Sequence, residues 1–177
     1  MSKDYLPIQV NPIRFAENAA TLRGTLLVKN MDRLAPSLFE HDSEVDVDLR
    51  FGVDDQGIRF LNGHVATQLT LQCQRCLEPF VYEITSDFIS GIVSTEKAAL
   101  SLPENYDPMV VRDEILVIQD VVEEELILNL PIVAMHELKD CKVSLPVIVA
   151  ETQPISQAEK ENPFKVIELL KVKPKQE

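Results

Sequence analysis

Glu44-Val45-Asp46-Val47-Asp48-Leu49-Arg50-Phe51-Gly52-Val53 is the stretch that decides the fold class. Val45, Val47, Leu49, Phe51 and Val53 alternate with Glu44, Asp46, Asp48 and Arg50. Successive side chains of a strand point to opposite faces, so this pattern predicts a strand with one buried and one wet face. Next along the chain, Asp54-Asp55-Gln56-Gly57 reads as a hairpin turn and Ile58 to Leu61 as the returning strand. Asn62-Gly63 is a second turn or bulge signal. Val65, Thr67, Leu69 and Leu71 then alternate with Ala66, Gln68, Thr70 and Gln72. Phe80, Tyr82, Ile84 and Phe88 keep the same period over residues 79–89. Together these runs predict an antiparallel β-meander.

Toward the N-terminus, residues 5–30 read as a short strand, a short helix and another strand, punctuated by Pro7 and Pro12. Residues 30–43 read as helix and loop, with a turn at Pro36. Beyond the meander, residues 94–113 read as loop. The period changes at Val117 to Leu128, where Ile118, Val121, Val122 and Leu126 share one helical face. Asp120, Glu123, Glu124 and Glu125 are expected on the wet face, and the helix should stop near Leu130-Pro131. Residues 144–161 lose periodicity. Asn162-Pro163 then offers an N-cap and a proline at the first helical position, with Phe164, Ile167 and Leu170 as an apolar stripe. The predicted architecture is α+β: an antiparallel β-meander sheet with a few helices and an extended C-terminal arm ending in a short helix. The predicted division is a single domain over 1–143, then a linker and C-terminal amphipathic helix over 144–177.

The bulk numbers bound the function. The chain has 177 residues, 45% of them hydrophobic, and a formal net charge of −12. That charge argues against a broad grip on nucleic acid, which needs Lys and Arg on phosphates. It suits a basic protein partner, with RNA contact at most local. No run approaches the ~18 apolar residues of a membrane helix, and no apolar secretory segment is seen near Met1. The three cysteines do not form a disulfide framework. A cytoplasmic protein is expected.

The most specific local feature is Cys73-Gln74-Arg75-Cys76, at a turn between two predicted strands. His136 and Cys141 form a second pair far downstream. Three thiolates and an imidazole are a suitable tetrahedral zinc set, so Cys73, Cys76, His136 and Cys141 are the candidate metal ligands. Such a site would clip the C-terminal half of the domain to the meander. Plain reduced thiols and a redox dithiol stay open as readings of the same residues. Arg75 reads as a turn arginine or as a contact for a phosphate or carboxylate. His41 and His64 read as surface histidines, and Asp46 and Asp48 as a solvated face. No phosphate-binding loop, dinucleotide fingerprint, nucleophile elbow or zinc-protease helix is present, so no catalytic residue is nominated. A basic, apolar-striped C-terminal segment offers partner contacts at Phe164, Ile167, Leu170 and Lys171.

These pieces, in this order, resemble one family. Leu71-Gln72-Cys73-Gln74-Arg75-Cys76 with Pro79-Phe80 is similar to the C-x-R-C segment of the bacterial YceD family, the large ribosomal RNA subunit accumulation proteins. Glu123-Glu124-Glu125-Leu126-Ile127-Leu128 before Leu130-Pro131 resembles its acidic helix, and His136 and Cys141 its following His/Cys segment. Asn62-Gly63 also fits. Asn162-Pro163-Phe164-Lys165-Val166, with Leu169, Leu170 and Lys171, resembles its C-terminal signature. The resemblance implies a non-catalytic factor in accumulation or processing of 23S rRNA, with a partner in ribosome assembly or RNA processing. The competing class is a metal- or thiol-dependent enzyme of RNA metabolism, either nuclease or oxidoreductase.

Overall fold

The computed structural model describes residues 6–143. The predicted linker and C-terminal helix, with Phe164, Ile167, Leu170 and Lys171, lie outside the described residues.

Chain order begins with β1 (Gln9–Val10), α1 (Pro12–Glu17) and β2 (Thr21–Leu27). The side chain of Asn11 caps α1 by accepting the Arg14 N–H at 2.9 Å, and Pro12 occupies the first turn. Two short 3-10 turns follow, Val28–Asn30 and Ala35–Ser37. They replace the helix expected over 30–43, because Pro36 removes an N–H where a helix would need one.

The sheet is then laid down by β3 (Glu44–Val53), β4 (Arg59–Gln72) and β5 (Pro79–Val93). The β3–β4 turn is held by Asp54, whose Oδ1 accepts the Gln56 and Ile58 N–H groups at 2.9 and 2.7 Å. Gly57 takes the positive φ of 82° that this turn requires. Asn62-Gly63 is neither turn nor bulge. It runs unbroken through β4, with Gly63 opposite Phe88 on β5. A Cβ on Gly63 would sit 2.1 Å from the Phe88 ring, so this glycine makes room for an aromatic side chain.

α2 (Glu96–Ala99), β6 (Asp107–Val110), β7 (Leu116–Val117) and α3 (Ile118–Leu128) complete the described elements. β6 corrects two expectations. Residues 94–113 are not all loop, and the sheet is not purely antiparallel. The strand order is β2-β3-β4-β5-β6, antiparallel throughout except for β6, which lies parallel to β5. A parallel neighbour needs a long crossover, and residues 94–106, including α2, supply it. The class is α+β with a mostly antiparallel sheet and few helices.

One face of the sheet makes the core. Val45, Val47, Leu49 and Phe51 are buried as the alternation predicts, beside Leu61, Val65, Leu69 and Leu71 of β4. Ile118, Val122 and Leu126 of α3 join the same cluster, with Val28, Met31 and Leu34 from the turns after β2. At about 1.5–3 kcal/mol for each fully buried aliphatic side chain, this cluster is the main stabilising term. Phe15 of α1 meets Phe51 edge-on, with ring centroids 5.4 Å apart. On the opposite face, Asp48 pairs with Arg23 at 2.9 Å and Arg50 at 3.5 Å.

The wet-face assignment on α3 needs two corrections. Glu123 is buried, and its Oε1 accepts the N–H groups of Arg33 and Leu34 at 2.7 and 3.0 Å. The carboxylate satisfies backbone donors that the tight turn leaves unpaired. Glu125 is half-buried and accepts from the Ser86 hydroxyl at 2.6 Å and the Asn129 amide at 2.8 Å. Asp120 and Glu124 are exposed, as expected.

Candidate metal centre

The β4–β5 hairpin ends in the pair Gln72↔Pro79, and the connection between them carries Cys73 and Cys76. This turn is tightly bonded. The Cys73 N–H donates to the Glu78 carbonyl at 2.9 Å and the Leu77 N–H to the Cys73 carbonyl at 2.8 Å. Leu77 adopts φ +64°, left-handed backbone that disfavours a side chain. The turn is therefore held in a shape that Leu77 alone would not choose.

The chain returns to this turn after α3. Asn129 caps the C-terminus of α3 and Pro131 ends it. The Gln74 N–H donates to the Ala134 carbonyl at 2.8 Å, so the two segments touch through backbone. A turn closed by Asp140 N–H to Glu137 O at 3.0 Å then brings Cys141 beside His136. Lys142 reaches back to Glu78 at 2.8 Å.

Cys73, Cys76, His136 and Cys141 converge here. Their ligand atoms all lie within 4.8 Å of one another, with Cys73 buried and the others half-buried. Cys76 Sγ is 3.3 Å from His136 Nδ1. The His136 ring leans on Phe80, with centroids 5.1 Å apart, which limits its rotation. Bonds of about 2.3 Å to sulfur and 2.0 Å to nitrogen give tetrahedral edges of roughly 3.5–3.8 Å. The cluster therefore needs to contract by only about 1 Å at its widest edge to hold zinc.

The electrostatics fit a cation. Burial pushes the Cys73 thiol up, but N–H groups of Cys76, His136 and Arg75 directed at its sulfur, with the His136 side chain, bring it down to about 5. At Cys76 the Glu78 N–H pulls downward, but burial and the Cys73 and Cys141 sulfurs outweigh it and leave the thiol raised. Two further thiolates beside Cys76 cost energy when nothing neutralises them, and a divalent ion would remove that cost. Three thiolates and a neutral imidazole around a dication carry a residual negative charge. Lys142 stands close enough to feel the Cys76 sulfur, which adds to the Glu78 hydrogen bond in raising its pKa.

The other singled-out residues lie elsewhere or play other parts. Arg75 is half-buried and donates to Met135 Sδ at 3.3 Å; it pairs with no carboxylate among the described residues. His41 and His64 are exposed, and His64 Nδ1 lies 2.7 Å from Asp87. Sequence reasoning missed the supporting residues Leu77, Glu78, Phe80 and Lys142. The strand period and the family's cysteine segment both include Phe80; the other three gave no signal but their closeness to the four ligands in the chain.

A scan against family models matches residues 61–171 to "Large ribosomal RNA subunit accumulation protein YceD". That interval contains the whole Cys/His cluster and more than half of the chain. The chain belongs to the YceD family. A YceD relative from Haemophilus influenzae, named large ribosomal RNA subunit accumulation protein, is 37% identical over 175 residues. The match spans 98% of this chain and 100% of that one. No solved structure matches. Among the described residues of this YceD chain, no helix is long and apolar enough to cross a membrane.

Proposed function

We propose that this chain is a non-catalytic, cytoplasmic ribosome-biogenesis factor that supports accumulation of 23S rRNA and the large ribosomal subunit by binding. In this reading Cys73, Cys76, His136 and Cys141 hold a structural zinc ion that fastens residues 131–143 to the end of the β4–β5 hairpin. The observation that carries the metal reading is the meeting of four protein donors within 4.8 Å. A complete set of three sulfurs and one nitrogen leaves no open position for substrate or water, which is the mark of structural rather than catalytic zinc. The role in rRNA accumulation is supported by the family and by its full-length relative.

The rival reading, a thiol-dependent enzyme, draws on the low pKa of Cys73. Against it, Cys73 is 0% exposed, and reactive cysteines need access as well as a low pKa. Partners in this account are proteins of ribosome assembly or RNA processing, with rRNA touched locally if at all. The segment with Phe164, Ile167, Leu170 and Lys171 is a second proposed contact.

The test is rescue in cells that lack the protein. Wild-type chain should restore 23S rRNA. The pair Cys76→Ser and Cys141→Ser should restore it poorly while remaining folded by circular dichroism. A chain ending at Glu161 should melt normally yet rescue weakly. Precursor rRNA processed by the purified protein alone would overturn the non-catalytic reading.

A further inference from the structure

We propose that the groove between α3 and β6 is a docking site for a basic, apolar-anchored segment of another protein. The groove lies away from the Cys/His cluster. β4 and β5 pair from Gln72↔Pro79 beside the cluster to Phe60↔Gly91 at the far end, and the groove takes Phe88 and Ser90 from that far end. Its volume is about 590 Å³. It therefore adds a partner class to the binding role proposed above, but direct binding tests it independently of rRNA rescue.

Two kinds of side chain line the groove. Met109, Ile115, Val121 and Leu128 give it apolar surface. Ile115 is 51% and Leu128 71% exposed, so the described residues leave this surface uncovered. Asp107, Asp120, Glu124 and Glu125 set four carboxylates against one guanidinium, that of Arg33. Arg33 is already paired with Glu124, and Glu125 is occupied by Ser86 and Asn129. The Asp107 and Asp120 carboxylates make no side-chain hydrogen bond or close ion pair among the described residues, although Asp120 is near enough to help raise the Arg33 pKa.

That combination selects the occupant. Carboxylates repel phosphates, so a nucleic acid backbone is disfavoured here. Loose cations would gain nothing from the apolar floor. A peptide with Leu, Ile or Phe anchors flanked by Lys or Arg satisfies both, burying Ile115 and Leu128 while its charges meet Asp107 and Asp120. An acidic chain of net charge −12 also attracts such a segment at long range.

The experiment titrates the purified full-length chain with three short fluorescent peptides, built from Lys-Lys-Leu repeats, from Lys alone and from Glu-Glu-Leu repeats. The Lys-Lys-Leu peptide should bind saturably, and the Lys peptide about tenfold more weakly. Paired variants Asp107→Lys/Asp120→Lys and Ile115→Ser/Leu128→Ser should each weaken the Lys-Lys-Leu peptide about tenfold. All four side chains are exposed, so both variants should keep the wild-type melting temperature. Amide shift mapping on the unmodified chain should place the peptide on α3 and β6, whatever the variants do. Equal affinity for the two lysine peptides, shifts located elsewhere, or affinity unchanged in both variants would overturn the proposal. So would a dimer that Ile115→Ser/Leu128→Ser returns to monomer, since the occupant would then be a second copy.

Discussion

The β3–β5 sheet and the segment 131–143 are held by different physics. In the sheet, alternate residues of β3 and β4, strands of 10 and 14 residues, are buried in the cluster that α3 joins. The segment after α3 buries almost nothing. Ile132 is 99% and Leu138 73% exposed, and the observed ties are few: Gln74 to Ala134, Arg75 to Met135, Phe80 to His136, Glu78 to Lys142, and the Cys/His cluster. Removing an apolar contact from the first region should cost global stability. Removing a ligand from the second should cost local order, because local opening follows the number of buried contacts and protected hydrogen bonds.

The largest expected effect tests the sheet. Leu49 is fully buried in the core cluster, so Leu49→Ala should lower unfolding free energy by about 3 kcal/mol. Chemical denaturation measures it, and a loss below about 1 kcal/mol would mean that the sheet does not carry the fold. Next comes Glu123→Ala, which strips the acceptor from two backbone N–H groups in a buried turn. Its expected cost is about 2 kcal/mol, whereas Glu123→Gln keeps an acceptor and should cost less.

The smallest effect on global stability is expected at the ligands. Cys141→Ser should leave the melting of the sheet nearly unchanged while amide exchange over 131–143 accelerates strongly. A collapse of the whole domain would erase the contrast between the two regions. The pH dependence sharpens it further. In metal-free protein the folded Cys73 thiol titrates at about 5, below its ordinary 9.0. The stabilisation from its thiolate is therefore complete above that ordinary value and is lost as pH falls through about 5. Ultraviolet thiolate absorbance should show the Cys73 thiol ionising well below that of Cys76, which is raised.

The same contrast explains what the sequence could reveal. The alternation in Glu44–Val53 showed its buried face, because a period of two has only one reading on a half-buried strand. The C-x2-C turn showed itself by spacing, and the structure brings His136 and Cys141 to it. Three features were hidden. Asn62-Gly63 carries a turn signal, but its glycine answers to Phe88 on the neighbouring strand, which local reading cannot see. β6 has only four residues, one of them proline, and pairs in parallel after a long crossover. Glu123 looked like one more acid on a wet face, yet its partners Arg33 and Leu34 are about ninety positions earlier. At about 3.6 residues per turn, Glu125 projects between Val121 and Ile118, so its partial burial was open to a stricter helical reading.

The central claim is that four side chains form one structural metal site that orders residues 131–143. The most direct measurement is zinc content and X-ray absorption on protein purified without chelator. The account predicts one zinc per chain, bound by three sulfurs at about 2.3 Å and one nitrogen at about 2.0 Å. It also predicts that a strong chelator releases amide protection over 131–143 and leaves β3 to β5 protected. A metal-free protein with three freely reactive thiols, and with 131–143 as well protected as before, would contradict it.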